Sequence, residues 1–273
     1  MLQMIKEMLG YQFIVRSLIV GVLVALCAAL LGVSLVLKRY SMIGDGLSHV
    51  GFGALALSAA LNAEPLTVSI PIVMAAAFLL LRLSENSKIK GDAAIALIST
   101  GALAVGVVII SQTTGMNTDV NNYMFGSILA MTGTDVKISV FFTIAVLVLF
   151  VVFYNKIFAV TFDENYARAT GVHAGLYNTI IALLTSVVIV VGMRMTGALL
   201  ISSLIIFPAL TSMRLCRKWL TVTICSAVVS VVCFASGVVC SYIFAAPTGA
   251  SVVIANIIMF GLFSLVARVR KAG

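Results

Sequence analysis

Hydrophobic residues in this chain are gathered into nine long runs that short polar stretches separate. Most runs are about 20 residues long, which is the length that a helix needs to cross roughly 30 Å of hydrocarbon. They lack the alternation of apolar and polar residues that barrel strands show. The pattern therefore predicts an all-α, polytopic transmembrane helical bundle. The predicted spans are residues 12–37, 43–61, 65–82, 92–112, 136–155, 174–193, 196–212, 219–245 and 248–268.

Three segments leave the number of spans open between eight and ten. Runs 43–61 and 196–212 are short for a bilayer, and residues 123–130 are semi-apolar and suggest a further half-helix at the membrane edge. The first run is too long for a cleaved signal peptide, and no small-x-small cleavage site leads into a polar sequence. We therefore expect it to be a retained helix.

Composition supports a membrane protein. Hydrophobic residues make up 62% of the chain and charged residues 10%, with a mean hydropathy of +1.20, whereas soluble proteins carry roughly 25% charged residues. This excludes a water-soluble fold, and we expect residues 1–273 to form a single transmembrane domain. The five cysteines include no C-x-x-C pair, which favours packing roles over disulfides or a metal site.

Lysine and arginine predict the orientation, because cationic loops stay in the cytosol. A cytosolic C-terminus and an external N-terminus put 13 of the 17 cations inside. The net charge of +8 then follows from the topology of a plasma-membrane protein in contact with lipid, and no nucleic-acid partner is expected. The 13 cations are Lys38, Arg39, Arg82, Lys88, Lys90, Lys156, Arg168, Arg214, Arg217, Lys218, Arg268, Arg270 and Lys271, and the four outer ones are Lys6, Arg16, Lys137 and Arg194.

Ionisable residues within a span are costly in lipid and are therefore candidates for function. Only Asp45 and His49 fall clearly within a predicted span. Their i, i+4 spacing puts the carboxylate and the imidazole on one face of a helix. Such a pair suits zinc or manganese, whereas sodium and potassium sites are built from oxygens.

Two ligands per chain are too few for a tetrahedral ion, so a two-fold homodimer with this helix at its axis would supply four. A bond between Asp45 and His49, or a capping role for Asp45, is the structural alternative. Gly44, Gly53 and two further glycines crowd the same segment, which allows close packing and is also typical of transport sites. An intramembrane aspartyl protease is disfavoured, because Met42 breaks the required G-x-G-D pattern.

Two further stretches carry helix signals. Residues 161–171 form a polar island in which Thr161 and Glu164 fit a capping box and Gly171 fits the position after a helix end. They predict a short cytosolic helix, either for docking a partner or as an ordinary solvated loop. Between Gly197 and Pro208, the proline predicts a bent span, because it removes a backbone hydrogen bond. These two residues are candidates for packing or gating, and a static kink is the alternative.

Four motifs in order make the chain similar to the zinc and manganese permease family of ATP-binding-cassette importers. Residues 37–49 resemble its basic pair followed by G-D-x-L-S-H, and residues 123–129 resemble its L-F-G-S-I-L element. Residues 162–171 look like its cytosolic coupling helix, and residues 197–208 look like its G-x-L-L-x-x-x-L-x-x-x-P span. The resemblance covers nearly the whole chain, with departures at Gly46 and at residues 50–53.

The resemblance implies a permease subunit, not an enzyme, of an ATP-driven importer of divalent transition metal, zinc before manganese. It implies a homodimer, two cytosolic ATPase subunits and an extracytoplasmic metal-binding protein. ATP would bind the partner subunit, since this chain has no G-x-x-x-x-G-K-[ST] loop, and the metal would be cargo rather than a permanent cofactor. It implies metal at Asp45 and His49. The implied coupling-helix residues are Phe162, Asp163, Glu164, Ala167, Arg168 and Gly171.

Three alternatives stay open on the sequence. The same machinery could import manganese or iron, although the general affinity order favours zinc over manganese. A secondary transporter would use Asp45 as a proton relay, but it would have no use for a docking helix at residues 161–171. An importer of chelated metal or cobalamin would not require an Asp/His pair within the membrane.

A reporter fused after Lys218 tests the orientation. Three cations cluster in residues 214–218, so the positive-inside rule places this connection in the cytosol. We expect a phosphatase that works only outside the cell to be inactive there, and to be active in a matched fusion after residue 246. External activity after Lys218 would contradict the predicted topology.

Overall fold

The computed structural model describes residues 10–86, 91–113, 126, 132–198 and 200–272. Within these ranges the regular structure is entirely helical, which confirms the all-α prediction. The expected half-helix at residues 123–130 lies outside the described residues except for Gly126. The helices are α1 (Gln12–Leu37), α2 (Ile43–Ala60), α3 (Pro65–Asn86), α4 (Gly91–Gln112), α5 (Gly133–Val152), α6 (Tyr154–Phe162), α7 (Glu164–Ala169), α8 (Ala174–Thr196), α9 (Ile201–Met213), α10 (Trp219–Phe244) and α11 (Thr248–Ala272).

Among the described residues, seven helices are long and apolar enough to cross a membrane, which confirms a multi-pass protein. They are α1, α3, α4, α5, α8, α10 and α11. The two remaining predicted spans correspond to α2, with 18 residues, and α9, with 13 residues. Because a helix rises about 1.5 Å per residue, α9 is roughly 20 Å long and does not cross the hydrocarbon by itself.

The structure divides the predicted span 196–212 at Gly197. This residue ends α8 rather than opening the next helix, and its φ of 86° and ψ of 155° belong to a region that is open almost only to glycine. Its N–H donates to the carbonyl oxygen of Met193 at 2.9 Å. Pro208 lies inside α9 and is buried, as the sequence placed it.

Helix α1 runs through the middle of the bundle and packs against α5, α8, α9 and α10. Hydroxyl groups join it to α10: Ser226 donates to the carbonyl of Ala29 at 3.3 Å and Ser230 donates to that of Ala25 at 2.8 Å. Small residues let the helix backbones approach closely, which is how helices associate where hydrocarbon replaces water. This packing leaves α4 and α11 as the least buried spans.

A buried ion pair joins the ends of α5 and α8. Nη2 of Arg194 lies 2.7 Å from Oδ2 of Asp135, and the carboxylate is fully buried. Asp135 also closes a capping box with Thr132 at the start of α5. The sequence assigned Arg194 to the outer side, between two predicted spans, and found only Asp45 and His49 clearly within a span. The structure places Arg194 and Asp135 inside helices α8 and α5, so the set of charged residues within membrane helices was incomplete. The carboxylate partner lies 59 residues away, so no local pattern reveals it.

Removing one partner of this pair should cost more than removing both. Arg194→Met leaves the Asp135 carboxylate buried without its cation, which destabilises a protein by about 3–5 kcal/mol. The double variant Asp135→Asn/Arg194→Met removes both charges, so it should unfold at a higher temperature than Arg194→Met alone. Thermal unfolding of the purified protein in detergent measures both. Additive losses, with the double variant the least stable, would contradict this account of the pair.

Candidate functional site

Glycines bring α2 close to its neighbours. A Cβ atom on Gly53 would lie 2.7 Å from the carbonyl oxygen of Ala102 in α4, and one on Gly51 would lie 2.5 Å from the sulfur of Met193 in α8. Both distances are shorter than real Cβ contacts. At Gly53 the close atom is backbone, so this position requires glycine, whereas at Gly51 the flexible side chain of Met193 would have to shift. At Gly44 a Cβ would meet α9 only at ordinary contact distance, 3.5 Å or more. Helix α2 is therefore enclosed on the sides that face α4 and α8.

Asp45 and His49 lie together on the open side of α2. Oδ2 of Asp45 is 3.7 Å from Nε2 of His49, and the two side chains are 40% and 20% exposed, whereas Gly46 and Ser48 between them are buried. This separation is longer than a hydrogen bond. The mutual hydrogen bond that the sequence left as an alternative is therefore not formed. Asp45 lies in the first turn of α2, where a negative charge is favoured.

The separation of the two groups fits ligands of one ion. Two metal bonds of about 2.1 Å at a tetrahedral angle place their donor atoms roughly 3.4 Å apart, close to the 3.7 Å observed. Nowhere in the described part of the chain do three or more His, Cys, Asp or Glu side chains form a group that could hold a metal ion. One copy therefore offers two ligands and an open side.

The predicted short helix is present as α7, but it begins differently. Thr161 is not its cap; it is buried inside α6. The cap is Asp163, whose carboxylate accepts a hydrogen bond from the N–H of Tyr166 at 2.9 Å. Thr161 and Asp163 are both good capping residues, so the local sequence does not choose between them. Gly171 follows the C-cap Thr170 with a φ of 82°, as the sequence predicted.

The end of α6 and helix α7 present aromatic side chains outward. Phe162 and Tyr166 are 57% and 65% exposed, while Ala167 is buried between α6 and α8. An open groove of about 800 Å³ lies between the end of α3 and the start of α8, and Arg82 and Arg168, the latter in α7, contribute to its lining. Exposed aromatic groups next to a groove are typical of a surface that contacts another protein.

A polar network joins α7 to two other helices at the same end of the bundle. One carboxylate oxygen of Glu164 lies 3.6 Å from Nζ of Lys38 and accepts a hydrogen bond from Asn178 at 3.2 Å, and the other pairs with Arg168. Lys38 also donates to the side-chain oxygen of Asn178. Sequence reasoning treated Lys38 only as an inner cation and missed Asn178, because these partners are far apart along the chain.

The environment of Glu164 keeps its carboxylate charged. Burial acts to raise its pKa, but the hydrogen bond from Asn178, the charge of Lys38 and the contact with Arg168 outweigh burial and hold the pKa below its ordinary value. The carboxylate is therefore ionised at neutral pH. Its ion pairs would be lost only as the pH falls through this lowered pKa.

The ABC 3 transport family matches residues 10–267. The chain belongs to this family. Membership confirms the resemblance found in the motifs and the expectation of a transport subunit rather than an enzyme. It also sets aside the secondary transporter that the sequence had left open.

Relatives of this ABC 3 chain carry metal names. It is similar to the manganese transport system membrane protein MntC of Halalkalibacterium halodurans, with 27% identity over 94% of this chain and 88% of the relative. It is similar to the high-affinity zinc uptake system membrane protein ZnuB of Haemophilus influenzae, with 28% identity over 92% and 97%. Among solved structures it is similar to PsaBC from Streptococcus pneumoniae in complex with Fab, with a TM-score of 0.86, 28% identity and coverage of 96% and 94%.

Proposed function

We propose that this protein is the membrane-spanning permease subunit of an ATP-driven zinc importer, in which Asp45 and His49 bind the ion during passage. The observation that carries this proposal is the acid and imidazole pair, 3.7 Å apart on the open side of an otherwise enclosed membrane helix. Relatives named for manganese and for zinc support a divalent metal as cargo. Family membership supports an ATP-driven machine.

A second copy of the chain completes the site in this proposal. Two chains related by a two-fold axis beside α2 would bring two carboxylates and two imidazoles together, which satisfies a tetrahedral ion. In a single chain, water would have to supply the remaining ligands.

Zinc is proposed ahead of manganese on ligand chemistry. Imidazole nitrogen is a borderline donor that suits zinc, and zinc stands above manganese in the general affinity order of divalent ions. Manganese, or iron, is the second candidate cargo, because carboxylate and imidazole bind those ions as well. The relative named for manganese supports this alternative.

The remaining partners follow from the two ends of the bundle. We propose that α7, together with the exposed Phe162 at the end of α6, the exposed Tyr166 and the groove that Arg168 lines, contacts one of two cytosolic ATPase subunits. An extracytoplasmic binding protein would deliver the ion at the opposite end, and the C-terminus would be cytosolic. The cations Arg82 and Arg168 at the α7 end support that orientation, since cationic segments stay inside.

Removal of either ligand should abolish uptake. In vesicles that hold this chain with its ATPase and binding-protein partners, Asp45→Ala and His49→Ala should each lower ATP-dependent zinc uptake by at least about tenfold, because losing even an indirect support of a metal ligand costs that much. Radioactive zinc measures the uptake. The matched control is Asp92→Ala, which removes an exposed acid from the first turn of α4 and should leave uptake unchanged.

The same vesicles decide the cargo. Excess unlabelled zinc should suppress labelled manganese uptake more strongly than excess manganese suppresses zinc uptake. The reverse order would replace zinc by manganese in the proposal. Normal uptake by both ligand variants, with the proteins inserted at wild-type levels, would remove the metal assignment of Asp45 and His49.

A further inference from the structure

Lys38 is a nearly buried cation at a junction of four helices. Its side chain is 9% exposed, it caps the C-terminal end of α1, and it contacts Glu164 at the start of α7 and Asn178 in α8. Taking a charge out of water is costly unless the charge is paired. Glu164 and Asn178 both stabilise the ammonium group, so its position is linked to theirs.

The chain from Lys38 to α2 is short and tightly bonded. Arg39 adopts a left-handed φ of 61°, the N–H of Tyr40 donates to the carbonyl of Leu35 at 2.9 Å, and the N–H of Ile43 donates to that of Tyr40 at 3.0 Å. A left-handed φ costs free energy for a non-glycine residue, so this conformation of Arg39 persists only because surrounding contacts stabilise it. Because these hydrogen bonds hold the connection, a displacement of Lys38 also displaces the first turn of α2, where Asp45 lies.

The carboxylate of Glu164 contacts side chains from three segments of the chain. Its two oxygens bind Arg168 within α7, Asn178 in α8 and Lys38 at the entry to α2. Helix α7 has little else to fix it inward, since Ala167 is its one buried residue. The carboxylate is therefore the point at which a movement of α7 reaches Lys38.

We propose that Lys38 is a positioning residue that transmits the movement of α7 to the metal-binding helix α2. When the ATPase displaces α7, the Glu164 carboxylate moves Lys38 with it. The hydrogen-bonded connection of residues 38–42 then moves the start of α2, which changes the positions of Asp45 and His49. This inference rests on the proposed function, because it takes α7 as the ATPase contact and Asp45 and His49 as the ligands. The network is a contiguous chain of polar contacts, which is a physical route for coupling.

The test measures zinc uptake and ATP hydrolysis in the same vesicles that contain the whole transporter. Lys38→Met should lower the zinc imported per ATP hydrolysed by about tenfold or more, within the range of coupling between linked sites. Hydrolysis itself should stay within about twofold of wild type. Glu164→Gln should have the same effect, and the double variant should be no worse than either single variant, because the two residues act as one pair. Lys38→Arg keeps the charge and should restore most of the coupling.

A matched control removes a lysine that has no such link. Lys156 is exposed in α6, and the described residues include no ion pair for it, so Lys156→Met should leave the ratio at the wild-type value. Copurification of the ATPase with Lys38→Met shows that the complex still assembles.

Two outcomes overturn the inference. If Lys38→Met imports zinc at the wild-type ratio, or loses uptake and hydrolysis in equal proportion, Lys38 is only a structural residue, and the proposed function stands on the wild-type uptake. If wild-type vesicles show no ATP-dependent zinc or manganese uptake, the proposed function fails and takes this role of Lys38 with it. The wild-type measurement therefore separates the two failures.

Discussion

An acid and an imidazole can lie within a membrane only where packing keeps hydrocarbon away from them. In this protein α2 must meet that requirement, because it carries Asp45 and His49. Close contact at Gly51 and Gly53 brings α8 and α4 against the helix and encloses it on those sides. The side that bears the two polar groups stays open in the single chain. A single copy of the chain therefore leaves Asp45 and His49 partly exposed. In the proposed dimer, the second copy and the transported metal ion would cover these two side chains.

Two ion pairs elsewhere in the described structure differ in how firmly they hold their helices. Asp135 and Arg194 lock the ends of α5 and α8 in a fully desolvated contact, which favours a fixed structure at that end of the bundle. Lys38 and Glu164 are 3.6 Å apart and partly accessible to water, so their contact is easier to move.

Sequence reasoning succeeded where the physics is local. Apolar length predicted the helical bundle and the seven long membrane helices of the described structure, because hydrocarbon thickness sets how many residues a helix needs. Helical periodicity alone placed Asp45 beside His49. It failed where the outcome depends on contacts across the fold: Arg194 finds Asp135 only after α5 and α8 pack, and Lys38 finds Glu164 only after α7 docks. The break at Gly197 was hidden because apolar residues continue on both sides of a backbone turn.

X-ray absorption at the zinc edge, recorded on the complete transporter loaded with metal, tests the central claim most directly. If two copies each contribute an acid and an imidazole, the ion should show only nitrogen and oxygen neighbours at about 2.0–2.2 Å, with the outer-shell signal of two histidine rings per ion. A sulfur neighbour at about 2.3 Å, or a shell of oxygen alone without any histidine signal, would contradict the account.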